Sequence, residues 1–469
     1  MSRPRIFWFR RDLRLADNPG LVAACGSGGV IPVYVLDPET EALGAAHKWR
    51  VGEGLAALDR SLAKHGLRLI LRRGDALTQL RALVAQTGAD AVHWSRLYDP
   101  KAIARDTRVK AGLRQDGIAA ESHPGHLLFE PWQVETGQGA FYRVFTPFWN
   151  NVRGRDVGAA PDRPDLGALA NLPESLSIQD LDLARAMNRG AEIVAKYTEA
   201  GEDAALEKLR SFCRDKIEHY QKDRDRLDVD GTSGLSEYLA VGEISPRSCW
   251  HAGCRARIEG KSGAETFLKE LVWREFAYHL IYHTPHITNR SWRDGWESFP
   301  WRDDNDDAER WRRGGTGEAM IDAAMRELYV TGRMHNRARM LVASFLTKHM
   351  MTHWRVGRDW FADCLTDWDP ASNALGWQWT AGPGPDAAPY FRVFNPATQA
   401  EKFDLNGDYR RRYLDTDGGP GSEPARDFYL AAPRSWGMSP KDPTPPKVVD
   451  LKRGRERALD AYQIHKESA

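Results

Sequence analysis

The chain has 469 residues, a length that predicts two or more domains. Its 66 lysines and arginines nearly balance 65 aspartates and glutamates, and the formal net charge of +1 excludes a uniformly basic surface, so nucleic acid would have to bind at a local patch. Hydrophobic residues make up 42% of the chain, enough for a sizeable core, which excludes global disorder.

The amino-terminal segment MSRPRIFWFRRDLRL carries charges throughout, which is not the pattern of a secretory signal. No apolar run approaches the roughly 18 residues that a membrane helix needs. The five cysteines are scattered and no two have the spacing of zinc ligands, so we expect reduced thiols and predict no metal site. We therefore expect a cytoplasmic protein.

The first 130 residues (1–130) alternate short apolar runs with amphipathic stretches, a pattern typical of an α/β domain with a parallel sheet covered on both faces. The predicted sheet is five-stranded and Rossmann-like, although no G-x-G-x-x-G follows its first strand. Four of the strands can be located, at Arg5–Phe9, Val30–Leu36, 67–71 and 91–94, with helices at 52–65 and 76–86.

Residues 131–194 are rich in proline and weakly periodic, which predicts an interdomain linker running over the surface. Helical periodicity dominates residues 195–417, and we predict an all-α domain over residues 195–469. Within this domain the proline- and glycine-rich stretch 418–446 predicts an extended tail.

The predicted helix around Glu270 places three unlike side chains on one face. Glu270, Trp273 and Arg274 stand at positions i, i+3 and i+4. A carboxylate, an indole and a guanidinium together could hold a flat ligand with polar edges. A surface salt bridge beside a packed tryptophan explains the same pattern, and the sequence of this helix alone leaves both interpretations open.

A second group begins after the helix breaker Gly332. Asn336, Arg339 and Met340 share one face of the predicted helix. Basic residues accumulate between 333 and 358, which makes this stretch the best candidate for a local phosphate-binding patch, with a solvated charged face as the alternative.

The third and fourth groups are the segment DWDPASNALGWQW at 367–379 and the segment GTSGLS at 231–236. The first combines two carboxylates and two amides with three of the chain's seventeen tryptophans, a composition that favours ligand binding over packing alone. The second offers hydroxyl groups and backbone N–H groups that could hold a phosphate, although serine and threonine are also ordinary helix caps.

Six strings occur together and in order, and they resemble the photolyase/cryptochrome flavoprotein family. The strings are WFRRDLRLADN, DGTSGLS, ELVWREF, GRMHNRARM, DWDPASNALGWQW and PYFRVFNPATQAEKFD. The resemblance implies an α/β antenna domain, a linker and an all-helical domain that binds FAD and DNA.

Within this family the chain resembles bacterial photolyases of class I or III that act on cyclobutane pyrimidine dimers. Asn336 and Met340 match those enzymes, whereas enzymes for the (6-4) photoproduct have histidine at both positions. Plant-type cryptochromes typically have aspartate where Asn373 stands. The resemblance implies light-dependent repair, in which excited FADH− passes an electron to the flipped-out lesion; the alternative is a blue-light photoreceptor of the cryptochrome type without repair activity.

The resemblance also assigns residues to the cofactor. Arg339 and Asp367 would pair against the flavin ring, Asp369 would contact the cofactor, and Asn373 would face the flavin N5. The phosphates would meet a loop and its neighbour, which comprise Tyr220, Thr232, Ser233, Gly234, Leu235 and Ser236.

The same resemblance assigns the substrate residues. Glu270 and Asn336 would bind the base edges of the dimer, Trp273 and Trp379 would line its pocket, and Met340 would lie in the flavin-side helix. Four arginines would hold the DNA backbone: Arg224, Arg274, Arg337 and Arg392. Three tryptophans would carry electrons to oxidised FAD: Trp377, Trp354 and Trp301.

Two positions depart from the family pattern, since Gly234 replaces a commonly basic residue and Trp368 a commonly small one. Methenyltetrahydrofolate is the favoured antenna chromophore, but a deazaflavin, another flavin or an empty antenna site all stay open. The expected partner is DNA that contains cyclobutane pyrimidine dimers. We expect a monomer that associates with the nucleoid when it is bound to DNA.

Overall fold

The computed structural model describes residues 3–25, 29–167, 169, 171–386, 391–414 and 421–468. The chain packs into two compact units. The first, called the sheet unit, comprises Met1–Ala186, Glu199–Glu218 and Ser233–Pro285, and the second, called the helical unit, comprises Met187–Thr198, His219–Thr232 and His286–Ala469. Among the described residues, no helix is both long and apolar enough to cross a lipid bilayer.

The sheet unit is built on five parallel strands in the order β3-β2-β1-β4-β5. Alternate residues of β1 enter two different cores, Phe7 and Phe9 on one face of the sheet and Ile6 and Trp8 on the other. Both faces are therefore covered, as parallel sheets require. The strands are β1 Arg5–Phe9, β2 Val30–Leu36, β3 Ile70–Arg73, β4 Ala91–Ser95 and β5 Ala119–His123.

The predicted α/β class and parallel sheet are confirmed. The first two strands have the predicted bounds, while the third begins at Ile70 instead of residue 67. The fifth strand, AAESH, could not be located from the sequence because it is short and polar and its burial pattern is broken by exposed residues. It lies at the edge of the sheet, where only one neighbour is needed.

The helices of the sheet unit that follow β2, β3 and β4 begin at aspartate caps. Asp37, Asp75 and Asp99 each accept a hydrogen bond from a backbone N–H of the helix that follows. The helices of this unit are α1 Pro19–Ala24, α2 Pro38–Glu41, α3 Ala45–Ala63, α4 Ala76–Thr87, α5 Pro100–Gln115, α6 Phe145–Val152, α8 Glu202–Ser211, α10 Ser236–Val241, α11 Pro246–Ile258 and α12 Ala264–His283.

The helical unit contains no strand within its described residues, which agrees with the predicted all-α region. Its core is rich in aromatic residues, with Trp311, Trp354 and Trp377 buried in one cluster. Its helices are α7 Gly190–Ala195, α9 Tyr220–Asp223, α13 Asp306–Arg312, α14 Ala319–Thr331, α15 Asn336–Ser344, α16 Trp354–Cys364, α17 Pro370–Ala381, α18 Pro396–Phe403, α19 Asp408–Tyr413, α20 Glu423–Ala431 and α21 Leu451–Ser468.

Two segments that were predicted to be without regular structure contain helices. The stretch 418–446 is not extended throughout, because α20 begins within it; Ser422 caps this helix and a proline occupies its first turn, where proline is well tolerated. Residues 418–420 lie outside the described residues. The stretch 131–194 likewise contains α6, whose apolar residues are buried.

The predicted domain boundaries at 130 and 194 remain a prediction. The compact units divide the chain differently, since 199–218 and 233–285 belong to the sheet unit.

Candidate functional site

The residues assigned from the sequence fall into both units. Those of the sheet unit are Ser233, Gly234, Leu235, Ser236, Glu270, Trp273 and Arg274. Those of the helical unit are Tyr220, Arg224, Thr232, Trp301, Asn336, Arg337, Arg339, Met340, Trp354, Asp367, Asp369, Asn373, Trp377, Trp379 and Arg392.

Gly332 holds together two of the groups predicted from the sequence, the helix that contains Arg339 and the segment 367–379. It ends α14 with φ +67°, and a Cβ there would lie 2.4 Å from the Cγ2 atom of Thr366. The backbone N–H of Thr366 donates to the Gly332 carbonyl at 2.8 Å. Because no side chain separates them, the segment that carries Asp367 is held against the chain that enters α15.

Arg339 and Asp367 form the ion pair that was predicted. The guanidinium Nη2 of Arg339 donates to Asp367 Oδ2 at 2.7 Å, and its Nε donates to the Met334 carbonyl at 2.8 Å. The Asp367 side chain is only 3% exposed. Its second oxygen, Oδ1, is buried and has no hydrogen-bond partner in the part of the chain that the structure describes.

A second buried acceptor belongs to Asn373 on α17. Asp369 caps this helix by accepting from the Ser372 N–H at 2.7 Å, and Pro370 occupies its first position. The amide Nδ2 of Asn373 donates to the Arg358 carbonyl at 3.1 Å, which assigns the other amide atom as an acceptor. That Oδ1 is also buried with no partner among the described residues.

These two buried oxygens, which have no hydrogen-bond donor among the described residues, indicate a site for a polar ligand. A buried acceptor without a donor is costly, and most buried acceptors in folded proteins are paired. Asp367 Oδ1 and Asn373 Oδ1 therefore fit a bound group that presents N–H donors. The flavin ring implied by the sequence offers such donors, and the residues present fit it.

The three predicted tryptophans join one hydrophobic cluster of the helical unit. A Cβ at Gly357 would lie 1.9 Å from the Trp377 ring, so that ring rests directly on the backbone of α16, one turn after Trp354. The ring of His353 lies 4.9 Å from Trp301 and 5.7 Å from Trp354, centroid to centroid. Trp354 and Trp377 are fully buried, whereas Trp301 is half-buried.

The predicted substrate residues of the helical unit present partly exposed side chains. Asn336 and Met340 stand one turn apart at the start of α15, with Asn336 exposed and Met340 half-buried. Trp379 is half-buried, and its indole N–H donates to the Asp386 carbonyl at 3.1 Å. A small cavity is lined by Trp379, Lys348 and Arg392.

Lys348 does not belong to the solvent-facing phosphate patch that its charge predicted. It is buried, and its Nζ donates to the backbone carbonyl of Arg392. Burial lowers the pKa of Lys348 to about 7. The sequence could not show this, because a lysine on an amphipathic helix normally reaches the surface.

The DNA-binding arginines of the helical unit differ in their surroundings. Arg337 forms an ion pair with Asp225 at 2.8 Å and lies over the Phe403 ring at 4.6 Å. Arg224 lies 5.8 Å from the ring centroid of Tyr220, which is buried at the start of α9. Arg392 is exposed.

In the sheet unit, α12 carries Glu270, Trp273 and Arg274. The Trp273 ring stacks on Phe145 of α6 with 3.7 Å between centroids and 4° between planes. Glu270 is half-buried. The guanidinium of Arg274 donates to the His126 carbonyl at 2.9 Å, which leaves 11% of its side chain exposed. Its DNA-binding role therefore stays a prediction.

The phosphate loop requires two glycines. A Cβ at Gly231 would lie 2.6 Å from the Asp223 carbonyl oxygen, within the helical unit. Gly234 has φ +64° in the sheet unit. After it, Leu235 is buried and Ser236 begins α10, while Thr232 and Ser233 are half-buried.

Lys208 is a residue that the sequence analysis missed. Its Cε lies 2.8 Å and its Nζ 3.6 Å from the position that a Cβ on Gly234 would take. Lys208 therefore fills the space in which a side chain at 234 would begin. The only signal in the sequence was the glycine at a commonly basic position, and nothing indicated which distant lysine would lie beside it.

Comparisons with known proteins identify the family of the chain. Residues 5–165 match the family model described as DNA photolyase, and residues 267–464 match the model described as the FAD binding domain of DNA photolyase. A deoxyribodipyrimidine photo-lyase of Agrobacterium fabrum is 44% identical over 480 residues, covering 100% of this chain and 99% of the relative. The chain belongs to the DNA photolyase family.

A solved structure and a plant relative place the chain within this family. The structure of a bacterial class III photolyase from Agrobacterium tumefaciens is 43% identical, covers 100% of this chain and 98% of that chain, and has a TM-score of 0.91. Cryptochrome-2 of Arabidopsis thaliana is 33% identical over 432 residues, 88% of this chain and 71% of the relative. The predicted family, fold and photolyase enzyme class are confirmed, and the chain carries the FAD-binding domain of the family.

Proposed function

We propose that the chain is a light-dependent photolyase that repairs cyclobutane pyrimidine dimers in DNA. The observation that carries this proposal is the pair of buried acceptors, Asp367 Oδ1 and Asn373 Oδ1, which have no partner among the described residues. Both lie in the segment that matches the FAD-binding model, and Asp367 is the ion-pair partner of Arg339.

The flavin ring would be oriented by three side chains of the helical unit. Asp367 Oδ1 and Asn373 Oδ1 would accept from its N–H groups, with the Asn373 oxygen at N5. Arg339 holds Asp367 in place through Oδ2, which leaves Oδ1 for the ligand. Asp369 would contact the cofactor from the cap of α17. When bound in its reduced form, FADH−, this cofactor supplies the light-excited electron that opens the dimer.

The phosphates of FAD would be held by hydroxyl groups and one ammonium group. Thr232, Ser233 and Ser236 provide hydroxyls, and Tyr220 provides a phenol. Lys208, whose side chain lies beside Gly234, would provide the positive charge that glycine cannot. The glycines allow the backbone to approach the phosphates closely.

The lesion would be recognised by polar groups and aromatic walls. Glu270 and Asn336 would bind the base edges, while Trp273 and Trp379 would pack on the bases and Met340 would fill the remaining space. The stacking of Trp273 on Phe145 fixes the plane of that indole before substrate arrives. Flipping a damaged base costs less than flipping a paired one, a known property of photolyases as a class.

Repair itself needs no proton transfer from the protein, so the residues around the lesion act by orientation and by excluding water. The DNA backbone would be held by Arg224, Arg274, Arg337 and Arg392, which makes affinity dependent on salt. Trp377, Trp354 and Trp301 would carry electrons inward from the surface to reduce oxidised FAD, since they share one cluster and Trp301 is partly exposed.

A cryptochrome-type photoreceptor without repair activity is the second candidate, supported by the 33% identity to a plant cryptochrome. Photolyase is favoured because the photolyase relative is more similar, at 44% identity over the whole chain. Asn373, where plant-type cryptochromes typically have aspartate, also favours repair.

The remaining proposals concern the antenna, the assembly state and the location. We propose that methenyltetrahydrofolate binds as the antenna, with a deazaflavin, a second flavin or no pigment as the alternatives. An absorption spectrum of the purified protein separates these outcomes, because each pigment adds its own band to that of FAD. A monomer in the cytoplasm, bound to the nucleoid when DNA is damaged, remains the expectation.

The function is tested by illuminating the reduced holoprotein with DNA that contains cyclobutane dimers. Restored ultraviolet absorbance of the pyrimidines, together with the return of intact thymines, supports repair. A flavoprotein that binds FAD but leaves the dimers joined supports the photoreceptor. A purified protein without flavin contradicts both. DNA carrying a (6-4) photoproduct is the matched control, and we expect it to stay unrepaired.

A further inference from the structure

The edge of the sheet carries three metal-ligating side chains that the photolyase reaction does not use. His93 is on β4, and Glu121 and His123 are on the edge strand β5. We propose that His93, Glu121 and His123 form a binding site for a divalent transition-metal ion of the zinc class. The proposal is independent of the proposed repair function.

The pairing of β4 with β5 brings the three side chains together. His93 and Glu121 are direct partners in the parallel ladder, and His123 follows Glu121 by two residues. Residues two apart in a strand point to the same face. Two adjacent strands therefore present two imidazoles and one carboxylate to one side of the sheet.

The distances between the ligand atoms match metal coordination. His93 Nδ1 lies 3.0 Å from His123 Nε2, and Glu121 Oε2 lies 3.8 Å from the first nitrogen and 4.0 Å from the second. At these separations one point lies about 2.1 Å from all three atoms, which is the length of zinc bonds to histidine nitrogen and carboxylate oxygen. This point lies in the plane of the three atoms, so small rotations of the side chains, without movement of the strands, would be needed to give a tetrahedral site with water as the fourth ligand.

The ligand types select the class of ion. Two imidazole nitrogens and one carboxylate oxygen favour zinc and neighbouring first-row metals over calcium or magnesium, which prefer oxygen alone. The Glu121 side chain is 55% exposed, so the ion has a path from solvent. A set of three protein ligands leaves the fourth position for water.

Both imidazoles must be neutral to bind the ion, and the charged groups around them are mixed in sign. Glu121 and Asp90 contribute negative charge around the pair. The opposing cations are Arg5, Arg96 and Lys110. The negative charge of Glu121 lies next to the ion position and offsets part of the repulsion from these cations.

The competing structure is a hydrogen bond between the two histidines, since one ring N–H can bridge the 3.0 Å between them. Metal binding would replace that proton, so the two states are exclusive. Zinc affinity, together with changes in the NMR signals of both imidazole rings when metal is added, therefore distinguishes a metal site from a hydrogen-bonded pair.

The test uses the full-length holoprotein without a histidine tag. Bound metal is first removed with a chelator, and the chelator is then removed. Cobalt is titrated while its visible absorption is followed, and zinc affinity is then obtained by competition. We expect one ion per chain. Glu121→Gln and His123→Ala should each weaken zinc binding by at least about tenfold, the loss that even outer-shell partners of a metal produce.

The matched control is His65→Ala, which removes an exposed histidine of the same unit and should leave affinity unchanged. Glu121→Gln keeps the test valid if His123→Ala does not fold, because its side chain is largely exposed. Absence of saturable binding overturns the proposal. Equal binding by the wild type and Glu121→Gln, or an equal loss in His65→Ala, also overturns it.

Discussion

Lys208 lies across Gly234, with its Nζ 3.6 Å from the position that a Cβ on the glycine would occupy. We propose that this lysine, on α8, supplies the positive charge that the family commonly carries at position 234. Glycine is favoured at 234 by its φ of +64°, and a side chain there would displace the flexible end of Lys208, whose Cε lies at 2.8 Å.

Lys208→Ala should weaken FAD binding by about tenfold, the equivalent of one lost hydrogen bond between charged groups. The affinity of the apoprotein for FAD, followed by flavin fluorescence at two salt concentrations, measures this directly. Lys64→Ala is the control, since Lys64 is an exposed lysine of the same unit that pairs with Asp203 at 3.6 Å. Unchanged affinity in Lys208→Ala would remove Lys208 from the phosphate site.

Asp367→Asn should reduce the FAD content of the purified protein by about tenfold or more. The amide cannot keep the ion pair with Arg339, and it turns one of the two ligand-facing acceptors into a group with donors. Flavin absorbance relative to protein absorbance measures the content. Asp359→Asn removes a comparable 2.7 Å ion pair with Arg358 on an exposed side chain, and it should retain FAD. Equal flavin loss in both variants would show that folding, and not cofactor contact, is affected.

Much of the fold could be predicted from the sequence, because β1 and β2 are continuous apolar runs that are buried at nearly every position and the longer helices carry apolar residues at three- and four-residue spacing. The fifth strand could not be located because AAESH is short, polar and only partly buried. The ion pair of Arg339 with Asp367 was also predicted, through the family resemblance. Lys208 and Lys348 were not, since their positions depend on contacts between distant segments, and a lysine in sequence looks the same whether it is exposed or buried.

Glu270→Ala should lower the yield of repair by about tenfold or more while FAD remains bound. The side chain is proposed to bind the base edge, and leaving a flipped base unpaired costs a substantial part of its binding energy. Repair per absorbed photon and the affinity for dimer-containing DNA are the measurements. Glu265→Ala is the control on the same helix, because Glu265 pairs with Lys269 at the surface. Loss of flavin colour in Glu270→Ala would contradict the assigned role.

Trp377→Phe should block the photoreduction of oxidised FAD and spare repair once the cofactor has been reduced chemically. Phenylalanine keeps part of the packing against Gly357 but is a much poorer electron carrier than tryptophan. Flavin absorbance under blue light measures the first effect, and dimer repair measures the second. Trp311→Phe tests the same buried cluster outside the proposed electron path and should still photoreduce. An inactive, chemically reduced Trp377→Phe enzyme would mean that Trp377 has another role.

Lys348 gives the helical unit a predictable dependence on pH. Burial lowers the pKa of this lysine to about 7, whereas in the unfolded chain it keeps its proton until about pH 10. Between these values the unfolded chain binds more protons than the folded chain, so this group makes the free energy of unfolding rise as pH rises. Lys348→Met should remove that rise, which is on the order of 1 kcal/mol for each unit of pKa shift.

The relevant measurement is the difference in unfolding free energy between the wild type and Lys348→Met from pH 7 to pH 10. Taking the difference cancels the buried tyrosines and cysteines, whose raised pKa values act in the opposite direction at high pH. Lys402→Met, at an exposed position, should show a flat difference. A flat difference for Lys348→Met as well would mean that the Lys348 ammonium keeps its proton in the folded protein and that water reaches the cavity beside Arg392.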